Sequence, residues 1–488
     1  MDIVCGLKKQ VVSLFRHIKI LKNFFSLTTA EVINRAAALI YLPYIARVFG
    51  PDGFGKVNFA ESVAGYFMLA ANFGFDVIGM REVAKFKEKK NAFAHILFIE
   101  LVTSCISFLA LCAFVYFIPK PLEIKMLIVL YGLTLITFAF TIDWFFIGLE
   151  WMGAVAVVSM VRQFFYIGLI LLIIRAPGHL WRLPMSFIAA DIVAIVIFFC
   201  LFFARVKKQD FKIEWRSVRY FSREALPLGV SNFLNSSRDK VGPVVLGFLR
   251  SISEVGFFSV GYKLLCVANI IPLTLNRAIF PNMAHALKNK THEEARAYIR
   301  KIFEITSIIA FPAAFLIFYN ADFFVRFIFG PSFQDGIYIT RIIIWSTALL
   351  MFNKLYYYYM VAIGAQKRLV ACCLAGLAVN IGLCLIFVKV WGGRGAALAF
   401  LVSELVIGVV YYFASGARTA PGREFVKAFI CFSPSLLFCF FADGRAHPLI
   451  ITSLAAVLYA AIVFKAYDIK SLFKGEDARA GGYDVGSL

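Results

Sequence analysis

Charge is what this sequence is short of. Asp, Glu, Lys and Arg make up only 16% of its 488 residues, while 61% are apolar and the mean hydropathy is +0.81. A soluble domain is roughly 45–50% apolar, so lipid must be the solvent for most of this chain. Acids are scarcer than bases, 29 against 50. The resulting net charge of +21 would suggest nucleic acid in a soluble protein. Here the bases cluster in short segments between apolar runs, as the positive-inside rule requires, and no nucleic-acid partner is expected. Cysteine is present, but not as a framework. No CxxC pair occurs, Cys372 and Cys373 are adjacent, and Cys105, Cys112, Cys200, Cys266, Cys384 and Cys439 sit in apolar stretches. They read as small hydrophobes, not as disulfides or metal ligands.

Soluble-enzyme signatures are missing too. There is no GxxxxGK[ST], so ATP hydrolysis is not expected, and neither HExxH nor GxSxG appears. No connection exceeds roughly 20 residues, which leaves no room for an extramembrane catalytic domain. The N-terminal stretch carries Lys8, Lys9, Arg16, Lys19 and Lys22 without a small-residue cleavage site. It reads as a basic amphipathic surface segment, not as a secretory signal.

What is there is a series of long apolar runs. A helix crosses the hydrocarbon core in about 20 residues. Spans are expected at 25–48, 57–79, 92–117, 125–148, 153–174, 184–204, 224–249, 255–284, 300–319, 338–362, 369–390, 395–414, 424–441 and 448–466. This all-α arrangement of about 14 transmembrane helices divides into a basic segment (1–22), a first six-helix lobe (23–204), a basic linker (205–223), a second lobe (224–415), two further helices (416–467) and a tail (468–488). The alternation of basic loops places both termini in the cytoplasm. "GPDGFGKVNFAESV" from Gly50 echoes "SISEVGFFSVGYKL" from Ser251. An internal repeat of this kind suits two parallel lobes around a central cavity, a transporter layout.

Charges inside spans cost at least ~2.5–3.5 kcal/mol each at a helix centre, so a function is the default reading. In the first helix Thr28, Glu31 and Arg35 share one stripe; an internal ion pair easing insertion is the alternative. "GVSNFLNSSRDKVG" is too polar to face lipid, and puts Ser231, Asn235, Arg238 and Gly242 on one face with Asp239 and Lys240 beside them. A cytoplasmic loop is the competing reading. Lys263 and Arg277 lie on one face of the eighth span, where either could also snorkel. Arg35, Arg238, Lys240, Lys263 and Arg277 thus offer cationic groups suited to phosphate oxygens. The acids Asp143, Asp191, Asp239, Glu61 and Glu404, and among the polar groups Glu31 and Asn235, are cavity or coupling candidates, with pairing to the buried bases the alternative for most of the acids. The aromatic runs Trp144–Phe146 and Tyr356–Tyr359 read as interfacial belt.

"YLPYIARVFGPDGFGKVNFAESVAGYFMLAANFGFDVIGMREVAK" (41–85) resembles the N-terminal signature of bacterial O-antigen flippases, in the polysaccharide-export branch of the multidrug/oligosaccharidyl-lipid/polysaccharide superfamily. "SRDKVGPVVLGFLRSISEVGFFSVGYKL" (237–264) and "FGPSF" (329–333) are similar to two later family segments. The resemblance implies alternating access driven by an H+ or Na+ gradient, with no other cofactor. It implies a cargo of oligosaccharide joined through pyrophosphate to undecaprenol, in the bacterial inner membrane. The pyrophosphate would fall to Arg35, Arg238, Lys240 and Lys263, and a polysaccharide polymerase and chain-length regulator would be downstream partners. A cell-wall precursor flippase is the close rival, and a membrane-embedded polymerase or glycosyltransferase the rival of another class. Drug–cation antiport would want acids where bases predominate. A scaffold would not need Arg238, Asp239 and Lys240 within a span.

Overall fold

The computed structural model describes residues 2–85, 91–205, 213–269, 283, 292–415, 422–442 and 447–466; the side chains of 2–28 and of Arg35 are among those outside the description. No strand occurs among the described residues. The helices are α1 (Asp2–Asn72), α2 (Phe75–Lys85), α3 (Asn91–Phe117), α4 (Leu122–Gly132), α5 (Thr134–Ala139), α6 (Asp143–Gly148), α7 (Met152–Ile173), α8 (Arg182–Arg205), α9 (Trp215–Leu249) and α10 (Ile252–Ala268). After these come α11 (His292–Tyr319), α12 (Ala321–Ile328), α13 (Gly336–Ile343), α14 (Ser346–Ala362), α15 (Gln366–Ser415), α16 (Gly422–Ala442) and α17 (Pro448–Ala466). Among the described residues, 9 segments are long and apolar enough to cross a membrane. Helix is the form to expect there, because it pairs its own backbone groups where no water can.

Two helices turn sharply inside their length. α1 bends at Gly50 (φ 65) before Pro51, and α15 at Gly392 (φ 55). Both glycines adopt a left-handed backbone that a side chain would resist. These bends separate expected spans. Others are cut where no break was expected. Phe73 and Gly74, both at positive φ, part α1 from α2. The 125–148 run is divided into α4, α5 and α6, and the 338–362 run into α13 and α14.

The chain forms two compact units, the first made of 1–260, 325–336 and 373–399, the second of 261–324, 337–372 and 400–488. In the first, Phe75, Ile78, Phe93, Ile96, Phe198 and Phe202 pack around Trp144, Phe145 and Phe146. Phe93 stacks on Phe202 at 4.4 Å, and Phe146 on Phe198 at 5.4 Å. The Trp144–Phe146 run is therefore core and not interfacial belt, since helix breaks on both sides of α6 turn it inward. In the second unit α16 and α17 pack on α11 through Phe311, Phe315, Phe432, Tyr459 and Val463. Tyr459 donates to the Ile308 carbonyl at 2.9 Å, and Asn320 to Thr452 at 3.1 Å.

One end of the first unit is a knot of turns. A helix leaves its last four carbonyls unpaired and partly negative, and at this end bases from other segments take them. Lys125 donates to Tyr116 in the last turn of α3 (3.2 Å), and Arg182 to Ile173 in α7 (2.9 Å). Lys120 reaches Gly247 in α9, Arg47 reaches Phe327 in α12, and Arg250 reaches Val388 and Lys389 just before the Gly392 bend. Past that bend, Glu254 accepts from the Gly393 N–H at 2.7 Å, so one turn holds both sides of it. Lys120 lies over the Phe59 and Phe248 rings at 5.8 and 5.7 Å. Burial there pulls its pKa below the ordinary lysine value.

The two echoing segments meet at this knot. Gly55 faces the Ile252 carbonyl, and Gly256 faces the Pro51 carbonyl, so that a Cβ on either would come within 2.0 or 2.2 Å of backbone oxygen. In the sequence echo Gly55 matches Gly256 and Pro51 matches Ile252. The contacts are thus reciprocal, as a local pseudo-twofold demands. Gly55→Ala and Gly256→Ala should each cost about 1–3 kcal/mol through overpacking, whereas Gly168→Ala, with nothing within 4 Å of the added carbon, should be neutral. Thermal unfolding of the purified variants in detergent measures the difference.

Candidate functional site

α9 is the anomaly among the long helices. Its 35 residues extend roughly 50 Å, yet it is not among the apolar segments fit to cross a membrane on composition. The stretch from Ser231 to Gly242 is helical throughout, which removes the loop reading. It is held against the second half of α1 by glycines that admit close approach. Gly229 sits on the Phe73 carbonyl and Gly247 on the Phe59 ring. Tyr66 of α1 donates to the Ser237 carbonyl at 3.1 Å.

The polar face expected to avoid lipid is turned inward. Ser231 and Arg238 are 9% and 5% exposed, Gly242 packs on the Phe258 ring, and Asn235 is half-buried. Lys240 lies along the bare backbone of Gly65, whose added Cβ would stand 2.5 Å from both Cε and Nζ. Asp239 is exposed, and an exposed carboxylate so placed calls for water and not hydrocarbon. The structure thus brings Lys240 to the α1–α9 contact, while Arg238 is buried on the face that carries Gly242. Glu31 is half-buried on α1; near it Asn34 donates to Ser159 at 2.7 Å, a contact sequence reasoning missed. The side chain of Arg35 lies outside the described residues, as does Arg277 entirely. Lys263 is half-buried on α10, in the second unit.

A second polar centre lies inside the first unit. α2 and α6 begin just after interruptions of the helix, each with an aspartate that accepts the N–H of the next residue at 2.8 Å, Asp76 from Val77 and Asp143 from Trp144. An acid at a helix N-terminus faces the positive end of the dipole. Gly79 against the Trp144 ring and Gly148 against Val83 let the two helices pack closely. Glu100 of α3 is 1% exposed, accepts from the Trp144 indole at 3.2 Å, and lies within electrostatic range of both aspartates. Beyond them, Asp191 accepts from Arg162 at 2.5 Å and from Thr137 at 2.8 Å, and Arg162 stacks over Phe187 at 4.7 Å. Asp191 is therefore a paired acid. Glu404, in the second unit, accepts from Asn353 at 2.8 Å. Glu100 and Arg162 escaped sequence reasoning, although each is a lone charge in an apolar run, which is the signal that could have found them. No group of three or more His, Cys, Asp or Glu among the described residues could hold a metal ion.

Comparison with known proteins bears on what this arrangement serves. The sequence pattern of the family described as "Polysaccharide biosynthesis protein" matches residues 20–287, and that of "MatE" matches 227–386. The chain is 19% identical over 395 residues to a protein of Escherichia coli (strain K12) named "Putative O-antigen transporter", covering 79% of this chain and 94% of that one. A protein of the same name from Shigella dysenteriae is 19% identical over 402 residues, covering 79% and 97%. Among solved structures, the lipid II flippase MurJ in an inward closed conformation matches with a TM-score of 0.71 at 14% identity, over 90% of this chain and 98% of that one. An inward-facing multidrug resistance MATE transporter of the MOP superfamily matches at 0.60 and 16% identity, over 79% and 94%. The fold is therefore that of MOP-superfamily transporters.

Removing Arg162 leaves Asp191 without its cation. Arg162→Ala should destabilise by about 2 kcal/mol, the range for a hydrogen bond to a charged group, and Arg162→Ala with Asp191→Ala should recover part of the loss. A double-mutant cycle of thermal midpoints tests the coupling.

Proposed function

The chain belongs to the polysaccharide biosynthesis protein family, and from that premise we propose that it flips an undecaprenyl-pyrophosphate-linked oligosaccharide, an O-antigen or related repeat unit, from the cytoplasmic to the periplasmic leaflet. The observation that carries the proposal is the polar stretch of α9, where Arg238 is buried and Lys240 lies on α1. Two cations in a helix that lipid would reject suit a cargo bearing two phosphates. Arg35, Lys263 and Arg277 complete the set of bases offered to the pyrophosphate, with Glu31, Asn235 and Asp239 as polar groups along the path. The names of the two curated relatives and the fold shared with transporters support this reading.

Alternating access needs a driving force. In this reading an H+ or Na+ gradient provides it, and the coupling carboxylates are Asp76, Glu100 and Asp143, set at the starts of α2 and α6 and on α3. Protonation or cation binding would relieve repulsion among three neighbouring acids, of which Glu100 is buried. The protein moves its cargo without making or breaking a covalent bond, and resides in the inner membrane with both termini in the cytoplasm. A polysaccharide polymerase and its chain-length regulator would act on the delivered unit. The fold shared with the lipid II flippase raises a second cargo of the same head-group chemistry, a peptidoglycan precursor.

Deletion of the gene should make lipid-linked repeat units accumulate on the cytoplasmic face. Wild type should clear them, while Arg238→Ala and Lys240→Ala should each lower export by at least about tenfold, the loss expected when a charged contact worth about 1.5–3 kcal/mol is removed. Normal surface polysaccharide in the deletion strain overturns the flippase reading. Rescue of a strain lacking its peptidoglycan-precursor flippase, without rescue of polysaccharide export, selects the second cargo. Full export by both variants removes the phosphate role from α9 and leaves the transport reading standing.

A further inference from the structure

At the turn knot the bases are engaged: Arg47, Lys120, Lys125, Arg182 and Arg250 each cap a helix carbonyl. The opposite end of α9 is built differently. Arg216, Arg219 and Arg223 are exposed and make no hydrogen bond or ion pair with another described residue. At 3.6 residues per turn they fall within an arc of about 60°. Trp215 (72% exposed) and Tyr220 (51% exposed) flank them on the same side. The other side of the helix is anchored, with Phe221 and Ala225 buried in the core of the first unit and Val218 packed against it. The nearby acids among the described residues are turned elsewhere. Glu224 pairs with Arg81 at 2.8 Å, and Glu214 lies on the far face of the helix, its backbone N–H donated to His95. Among the described residues, this face therefore carries three guanidinium forks without an acidic partner.

We propose that the first two and a half turns of α9, Trp215 to Arg223, form a binding site for the phosphate of anionic phospholipid headgroups. Exposed tryptophan and tyrosine mark the level at which a helix passes from hydrocarbon to headgroups. Three arginines at that level match phosphate oxygens in geometry and charge. The anionic phosphates abundant at that depth are those of the bilayer itself, and basic residues beside a span gain about 1 kcal/mol each from such lipids. The site is separate from Arg238 and Lys240 on the same helix, and does not depend on which cargo is carried. Its consequence is that α9, the helix carrying the polar stretch, is tethered at one end to the leaflet.

The test uses the full-length protein in nanodiscs of phosphatidylcholine with or without phosphatidylglycerol. Tryptophan quenching by brominated acyl chains of each lipid in turn reports which one contacts Trp215, with Trp215→Phe isolating its share. Native mass spectrometry counts retained lipids. Wild type should prefer phosphatidylglycerol by at least about tenfold. R216Q/R219Q/R223Q should abolish the preference, and the control K367Q/R368Q/R300Q should keep it. Equal quenching by both lipids in the wild type overturns the proposal, as does equal loss of preference in the triple variant and its control. If micromolar inorganic pyrophosphate displaces the bound lipid from wild type, the face is a pyrophosphate site and not a membrane tether. The wild-type quenching measurement decides the matter should the triple variant fold poorly.

Discussion

A helix leaves its last four carbonyls without an intrahelical partner, and in the first unit of this protein side chains from other segments take several of them. At the turn knot five helix ends are closed by lysines and arginines reaching in from other segments. Each such bond both completes a backbone and ties two segments together. Arg250 and Glu254, four residues apart, hold the two sides of the Gly392 bend. Close by, Gly55 and Gly256 bring the echoing segments into backbone contact. The scarcity of charge in the sequence is thus matched by economy in its use.

That closure is what lets α9 be polar. Helices capped and packed at one end can enclose a stretch such as Ser231–Gly242, which would be rejected by lipid if it stood alone. Glycine again sets the distance: Gly65 accepts the length of Lys240, and Gly229 the Phe73 carbonyl. The broken helices serve the other polar centre. Because α2 and α6 start afresh inside the unit, their N-termini receive Asp76 and Asp143, and the dipoles of two short helices offset the charge of two acids. Continuous helices could not have placed them so.

How much of this was legible in the sequence varies with the kind of signal. Apolar runs mark most spans, and glycine beside proline at 50–51, or paired at 392–393, marks where they turn. The polar stretch of α9 announces itself by composition, and the echo at Gly50 and Ser251 has the register in which the two segments touch. Breaks at 73–74, 140–142 and 344–345 were not legible, because apolar residues continue across them and hydropathy does not register a change of direction. For the same reason Trp144–Phe146 looked like a membrane belt: an aromatic run has the same composition whether it meets headgroups or Phe198 and Phe202. Glu100 and Arg162 were legible as lone charges, but their partners, Trp144 and Asp191, were not, since pairing over 44 and 29 residues is a property of the tertiary fold. The basic excess on alternate loops carries an expected orientation; that bases on the sparser loops, Lys120, Lys125, Arg182 and Arg250, are helix caps could be seen only in three dimensions.

The central claim is that this fold moves a pyrophosphate-linked lipid between leaflets, with Arg238 and Lys240 meeting its charge. The most direct measurement is reconstitution of the purified chain into sealed vesicles carrying undecaprenyl-pyrophosphate-linked oligosaccharide, followed by the fraction of sugar that an added glycosidase can reach. The account predicts that wild-type protein makes the inner-leaflet sugar accessible faster than empty vesicles do, faster still under an ion gradient, and that Arg238→Ala does not. Accessibility with wild type no greater than in empty vesicles would contradict it.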